Sequence, residues 1–200
     1  MQLQPGDPDV DTLLAEYCPR PVDGFVPSRI VLAKGSTSTP SRRRLAERIC
    51  AAYPKAEVVE QLDTAHNQIR LSPTTALGRH LEGKQTLVLA EHRSSVRQSS
   101  ENDNSCPNYW HFSPYGYCPY GCQYCYLAGT QGVRFSPTVK IFVNLDEILD
   151  GVDRAARRLG RLTAFYLGKL QDALALEPLT GYMRTIVPFF ADHPFARLTL

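Results

Sequence analysis

The residues with the strongest chemical claim are Cys118, Cys122 and Cys125, spaced C-x3-C-x2-C within Cys118-Pro-Tyr-Gly-Cys122-Gln-Tyr124-Cys125-Tyr126-Leu127. Three thiols within eight residues cannot all face a core, but they can converge on one inorganic centre. Three ligands are one fewer than a closed tetrahedral site or an electron-transfer cluster takes. An iron–sulfur cube held by three cysteines keeps one iron open, and an open metal position is where chemistry occurs. Gly121 is expected to relieve backbone crowding beside Cys122, and Pro119 to stiffen the turn. Two other readings compete. A zinc site would complete the triplet with Cys106 or His111, although zinc ribbons and fingers usually present C-x2-C pairs. Six cysteines, an even count, would also permit disulfides, which a chain of this length without a secretory signal rarely uses. Cys18 and Cys50 stand alone and read as ordinary thiols.

The elements that must position this loop belong to an ordinary globular chain of 200 residues, 43% hydrophobic and 21% charged. A net charge of +2 makes no strong electrostatic case for nucleic acid. The Arg42-Arg43-Arg44 triplet and the group His92, Arg93 and Arg97 are the available phosphate contacts, though a basic triplet on a helix is more often a solvated face. No apolar run reaches the length of a membrane span. The start, MQLQPGDPDVD, is polar and acidic, unlike a targeting peptide. A cytoplasmic setting, where thiols stay reduced, is therefore expected.

Residues 1–25, rich in proline, read as a mobile lead-in. Residues 26–105 read as a small α/β unit and linker. Its strands are Arg29–Ala33, 55–62 and 85–90, with a helix opened by Ser41 and ended before Pro54, a βαββ-type arrangement. The polar stretch 91–105 is the expected linker. From 106 onward, strands are expected at 108–112, 139–143, 162–167 and 196–200. Between them fall a helix over 144–159, capped by Asn144 with Glu147 and stopped by Gly160, and a helix over 178–190 that Pro188 bends or ends. The first of these helices carries the apolar stripe Leu145, Ile148, Leu149, Val152, Ala156 and Leu159, and the second turns Leu179, Met183, Ile186 and Val187 inward. This alternation predicts parallel strands with helical crossovers, and the cysteine loop follows a strand end, where such sheets bind ligands.

The triplet, with Tyr124 at the aromatic place of C-x3-C-x-aromatic-C, resembles the signature of radical S-adenosylmethionine (SAM) enzymes. Together with His66-Asn-Gln-Ile-Arg70, Gly83-Lys-Gln-Thr-Leu-Val-Leu89 and Val143-Asn-Leu-Asp-Glu-Ile-Leu149, it is similar to spore photoproduct lyase and its relatives from about Phe25 onward. The resemblance implies an α/β fold in which a partial (β/α) radical SAM barrel, with about three strands present over 106–200, follows the small N-terminal unit. It implies a [4Fe-4S] cluster on Cys118, Cys122 and Cys125, SAM chelated at the open iron, and cleavage of SAM to a 5′-deoxyadenosyl radical acting on DNA. Tyr124 and Tyr126 correspond to tyrosines implicated in SAM binding and the radical relay, while Lys169, at a strand end, is read as a contact for the SAM carboxylate or a phosphate. In each case the bland counterpart is packing beside the loop, or a solvated charge at a strand end.

Two departures are visible. The family's hydrogen-donating cysteine lies at the end of the second barrel strand, where this chain has Lys169, and no cysteine follows Cys125. The chain also ends in its third barrel strand, so a missing C-terminal half or a partner chain is expected to complete the barrel and cover the apolar edge. A non-catalytic zinc or iron–sulfur module, or a nucleic-acid-binding remnant, is the alternative function.

Overall fold

The computed structural model describes residues 17–99, 108–125, 135–169 and 171–200. Chain order is β1 (Arg29–Ala33), α1 (Pro40–Ala51), β2 (Glu57–Gln61), α2 (Ala76–Lys84), β3 (Thr86–Ala90), β4 (Val96–Gln98), β5 (Trp110–Phe112), β6 (Tyr115–Gly116), β7 (Val139–Phe142), α3 (Leu145–Leu159), β8 (Thr163–Leu167), α4 (Glu177–Thr180), α5 (Met183–Asp192) and β9 (Ala196–Thr199). Two sheets form. The first has the order β2-β1-β3-β7-β6, and the second β4-β5-β8-β9. Pairing is parallel except where β6 meets β7 and β4 meets β5.

The mixed α/β fold with parallel strands is as the sequence pattern predicts, but the partition between sheets is not. Val139–Phe142 joins the first sheet, with Leu89 opposite Ile141, so that sheet takes strands from both sides of residue 105. Both β3 and β7 are buried along their whole length, so each suits the interior of a sheet covered on both faces. The three parallel strands of the second sheet are β5, β8 and β9. Within the expected linker, β4 pairs with β5, Val96 opposite Phe112.

The N-terminal unit is β-α-β-α-β rather than βαββ. Helix α2 has no apolar stripe: Gly83 is its one buried residue, and Leu77 and Leu81 face solvent. Periodicity therefore could not reveal it. Helix α1 is capped by Thr39 rather than Ser41. Pro40 takes the first helical position, which suits a residue with no N–H, and the Thr39 hydroxyl accepts from Arg42 N at 3.2 Å.

Residues 17–25 of the expected lead-in are packed. Val22 and Phe25 are buried, Phe25 stands edge-on to Tyr53, and Arg20 N donates to the Pro178 carbonyl at 2.7 Å. Helix α3 carries the predicted stripe, with Leu159 half-buried, and ends at Gly160 (φ 62°). Asn144 does not cap it through its side chain. The amide is spent across the fold, accepting from His92 N at 2.9 Å and donating to Glu147 at 2.8 Å. The helix expected over 178–190 is split at Gly181 (φ 64°), where the Tyr17 ring fills the space a side chain would need. Pro188 lies inside α5, and Val187, expected inward, is exposed. Among the described residues no helix is long and apolar enough to cross a membrane.

Candidate functional site

Strand β5 leaves the second sheet through Ser113 and Pro114. Two residues, Tyr115 and Gly116, then pair with β7 at the edge of the first sheet. The cysteine loop begins immediately afterwards, in the connection from β6 to β7 of the first sheet. Tyr117 turns into it with φ 60°, a left-handed conformation uncommon for a residue with a side chain. Cys118 and Cys125 are half-buried, Cys122 is exposed, and all three are free thiols. Cys125 N donates to the Cys122 carbonyl at 3.1 Å, closing a tight turn. Gly121 relieves no crowding, because a Cβ there would meet nothing within 4 Å.

Helix α2 borders the loop. The Lys84 ammonium donates to the carbonyls of Cys118 and Tyr120 and lies 4.0 Å from the centre of the Tyr117 ring. One turn earlier, His80 Nδ1 shares a 3.0 Å hydrogen bond with the Tyr117 hydroxyl. Burial pushes the pKa of Lys84 down, while the thiols of Cys118, Cys125 and Cys122 pull it back up, so all three sulfurs fall within the field of one cation. Burial, with Cys125 and Cys118 nearby, pushes Tyr117 up to about 12.

By type the donors suit an iron–sulfur cluster: three thiols on one loop, none in a disulfide, share one positive neighbour. Among the described residues no set of three His, Cys, Asp or Glu side chains is gathered closely enough to hold a metal ion. Cys106 and Tyr126 lie outside the described residues. Tyr124 is 90% exposed beside Cys125.

Next to the loop a cavity of about 350 Å³ opens between the sheets, lined by His66, His92, Arg97, His111, Tyr117, Lys140 and Lys169 among others. Lys169 reaches it from the end of β8, just after Gly168 (φ 82°). Lys140 is buried and donates to the carbonyls of Ser136 and Thr138 at 2.9 and 2.7 Å. Desolvation brings its pKa down to about 7. His66 and His92 pack edge-on to each other and against Phe142. Burial, with positive neighbours such as Arg97 and Lys140, holds both imidazoles down to about 4. The cavity thus concentrates cations and neutral imidazoles.

Of the candidate basic groups, Arg42 does not face solvent. It is buried and paired with Glu147 at 2.7 Å, Glu91 at 3.7 Å and Asp146 at 3.8 Å. Sequence reasoning gave no role to Lys84, Lys140 or His66, and offered His92 only as a phosphate contact. A lysine inside the apolar run Val139–Phe142 was a readable signal; the others were not, because only the fold brings them to the loop.

A parallel α/β fold with a three-cysteine loop at a strand exit is the radical SAM type of architecture. The sequence model for spore photoproduct lyase matches residues 25–200, and the chain belongs to that family. It is 26% identical over 177 residues to spore photoproduct lyase of Bacillus subtilis (strain 168), covering 87% of this chain and 48% of that protein. Among solved structures it is similar to a spore photoproduct lyase mutant with bound AdoMet and dinucleoside spore photoproduct (TM-score 0.70, 26% identity, 87% of this chain and 49% of that one). A lyase complexed with dinucleoside spore photoproduct gives a TM-score of 0.68 at 25% identity over the same shares. The chain spans about half the length of the relatives it matches.

Proposed function

We propose that this chain holds a [4Fe-4S] cluster on Cys118, Cys122 and Cys125, takes SAM as cosubstrate, and serves radical chemistry on a DNA-derived substrate without the lyase's closing hydrogen transfer. The observation that carries the reading is the placement of three free thiols at a strand exit, in the field of Lys84 and beside a cationic cavity. When bound, the cluster supplies the electron that cleaves SAM to a 5′-deoxyadenosyl radical, chemistry that belongs to the cofactor.

The chain's own residues bind and orient. The thiolates hold the cluster. Tyr124, and on the resemblance Tyr126, flank its last ligand. Arg97 and Lys169, and Lys140 while it is protonated, offer positive charge to a carboxylate or phosphate entering the cavity.

The missing step follows from atom types. A carbon radical on the substrate needs a hydrogen atom from a contacting thiol. Among the described residues no cysteine lines the cavity, and the strand-end place holds Lys169, whose ammonium gives protons rather than hydrogen atoms. The test is reduced, reconstituted protein incubated with SAM and a lesion-bearing dinucleotide. The expected result is 5′-deoxyadenosine with little clean conversion to two thymines, and a gain of conversion in Lys169→Cys. Efficient multi-turnover repair by the unaltered chain would contradict the reading.

A further inference from the structure

Helix α2 has little to do in the core. It buries Gly83 alone, yet it is braced on every side. Thr75 caps it, accepting from Gly78 N at 3.1 Å. Glu82 pairs with Arg29 of β1 at 3.3 Å and accepts from Ser72 N at 2.9 Å. Gly83 lies so close to the chain leading into β7 that a Cβ there would sit 2.0 Å from the Pro137 carbonyl oxygen. A helix braced in this way and contributing so little burial is a mount for something. What it presents, four residues apart and therefore on one face, is His80 and Lys84. Both act on Tyr117, the residue before the first cysteine and the one non-glycine residue with positive φ among those described. Such a conformation persists only where its surroundings over-determine it. Here a hydrogen bond to the hydroxyl and a cation over the ring face do so. The same ammonium then reaches past the ring to two carbonyls of the loop, Cys118 and Tyr120.

We infer that Lys84 is a positioning residue for the cysteine loop: it ties the Cys118 and Tyr120 carbonyls together and so sets the backbone from which the metal-binding thiols project. The inference rests on the metal reading of those thiols proposed above, and it can fail separately from that reading. Two charge-assisted hydrogen bonds fix the entry to the loop. The positive charge also sits where three thiolates would otherwise repel one another.

The experiment has two arms. In iron-free protein, backbone amide exchange is followed over residues 118–125, with the amides of β1 and β3 as an internal control for folding. Lys84→Met is expected to speed loop exchange about tenfold, the equivalent of one charge-assisted hydrogen bond, and Lys84→Arg, which keeps cationic donors, to restore much of the protection. In reconstituted protein, the iron retained against a chelator and the spectrum of the reduced centre are compared. Lys84→Met is expected to lose its iron several-fold faster, with an altered spectrum, and Lys84→Arg to hold it. Unchanged loop exchange in Lys84→Met would overturn the inference, and so would faster exchange with unchanged iron retention. If Lys84→Met loses protection in β1 and β3 as well, Lys84→Gln replaces it; that variant keeps one neutral donor and is expected to lie between Lys84→Met and the unaltered chain. If the unaltered protein takes up no iron, the metal reading falls, and the exchange arm alone decides whether Lys84 clamps the loop.

Discussion

Arg42 and Lys140 are both buried cations, one on α1 and one on β7, and they are held in opposite ways. Arg42 is surrounded by carboxylates, Glu91 just beyond β3 and Asp146 and Glu147 on α3, and donates to Ser38 as well. Its charge is spent joining three elements. Lys140 has only the neutral carbonyls of Ser136 and Thr138, and among the described residues no acidic group pairs with it. A charge desolvated without a counter-ion is expensive and loses its proton readily, in keeping with a pKa near 7. The two cations therefore mark different parts of the molecule. The fully paired cation locks the fold, and the under-paired one faces a cavity next to the cysteine loop.

The comparison breaks most visibly at Arg42. Arg42→Met leaves the mostly buried Glu91 with only the exposed Arg93 as partner, and releases two half-exposed carboxylates on α3. A loss of about 2–3 kcal/mol in unfolding free energy is expected, with Arg42→Lys recovering part of it. Denaturant titration measures this, and a change below about 0.5 kcal/mol would place Arg42 among ordinary surface charges.

Lys140→Met tests the other side. The folded-state pKa lies below the ordinary value, so the unfolded chain holds the extra proton between about 7 and 10.5. The stability of the unaltered protein therefore gains from this group as pH rises through that window and lacks the gain below it. Lys140→Met is expected to remove this contribution to the slope, and to cost least, or to stabilise, at pH 6. A variant that loses more stability at pH 6 than at pH 9 would show that the ammonium is well paired after all.

The imidazoles act in the acid range. His66 and His92 are held down to about 4, below the ordinary 6.5, so the unfolded chain takes up their protons first as pH falls. Stability they leave intact above pH 6.5 is lost between 6.5 and about 4. Combined His66→Phe and His92→Phe substitution is expected to make the stability profile shallower over that range, read as melting temperature against pH. An unchanged profile would mean that the loss on acidification comes from carboxylates alone.

These contrasts explain what the sequence could and could not disclose. Strands β1, β3, β7, β8 and β9 were legible because apolar runs bounded by turn residues fit no other element of that length. Helix α3 was legible from its stripe and from Gly160. The cysteine triplet was legible because its spacing has few other uses. Helix α2 was not, since a helix that buries a single glycine leaves no periodic trace. The joining of β7 to β3 was not, because strand order is decided by packing between elements far apart in sequence. Arg42 read as a solvated charge because its three carboxylate partners are distant in the chain. The cavity arises where histidines and lysines from several loops meet, and no local pattern announces that.

The central claim, that the three-cysteine loop is a metal-cluster site, is tested most directly by iron and sulfide analysis after anaerobic reconstitution, with single Cys→Ala variants read side by side. About four iron and four sulfide per chain are expected, with broad absorption near 400 nm. Loss of the cluster is expected in Cys118→Ala, Cys122→Ala and Cys125→Ala, and retention in Cys50→Ala and Cys106→Ala. A protein that takes up no iron and instead holds one tightly bound zinc, released by Cys106→Ala, would contradict the claim.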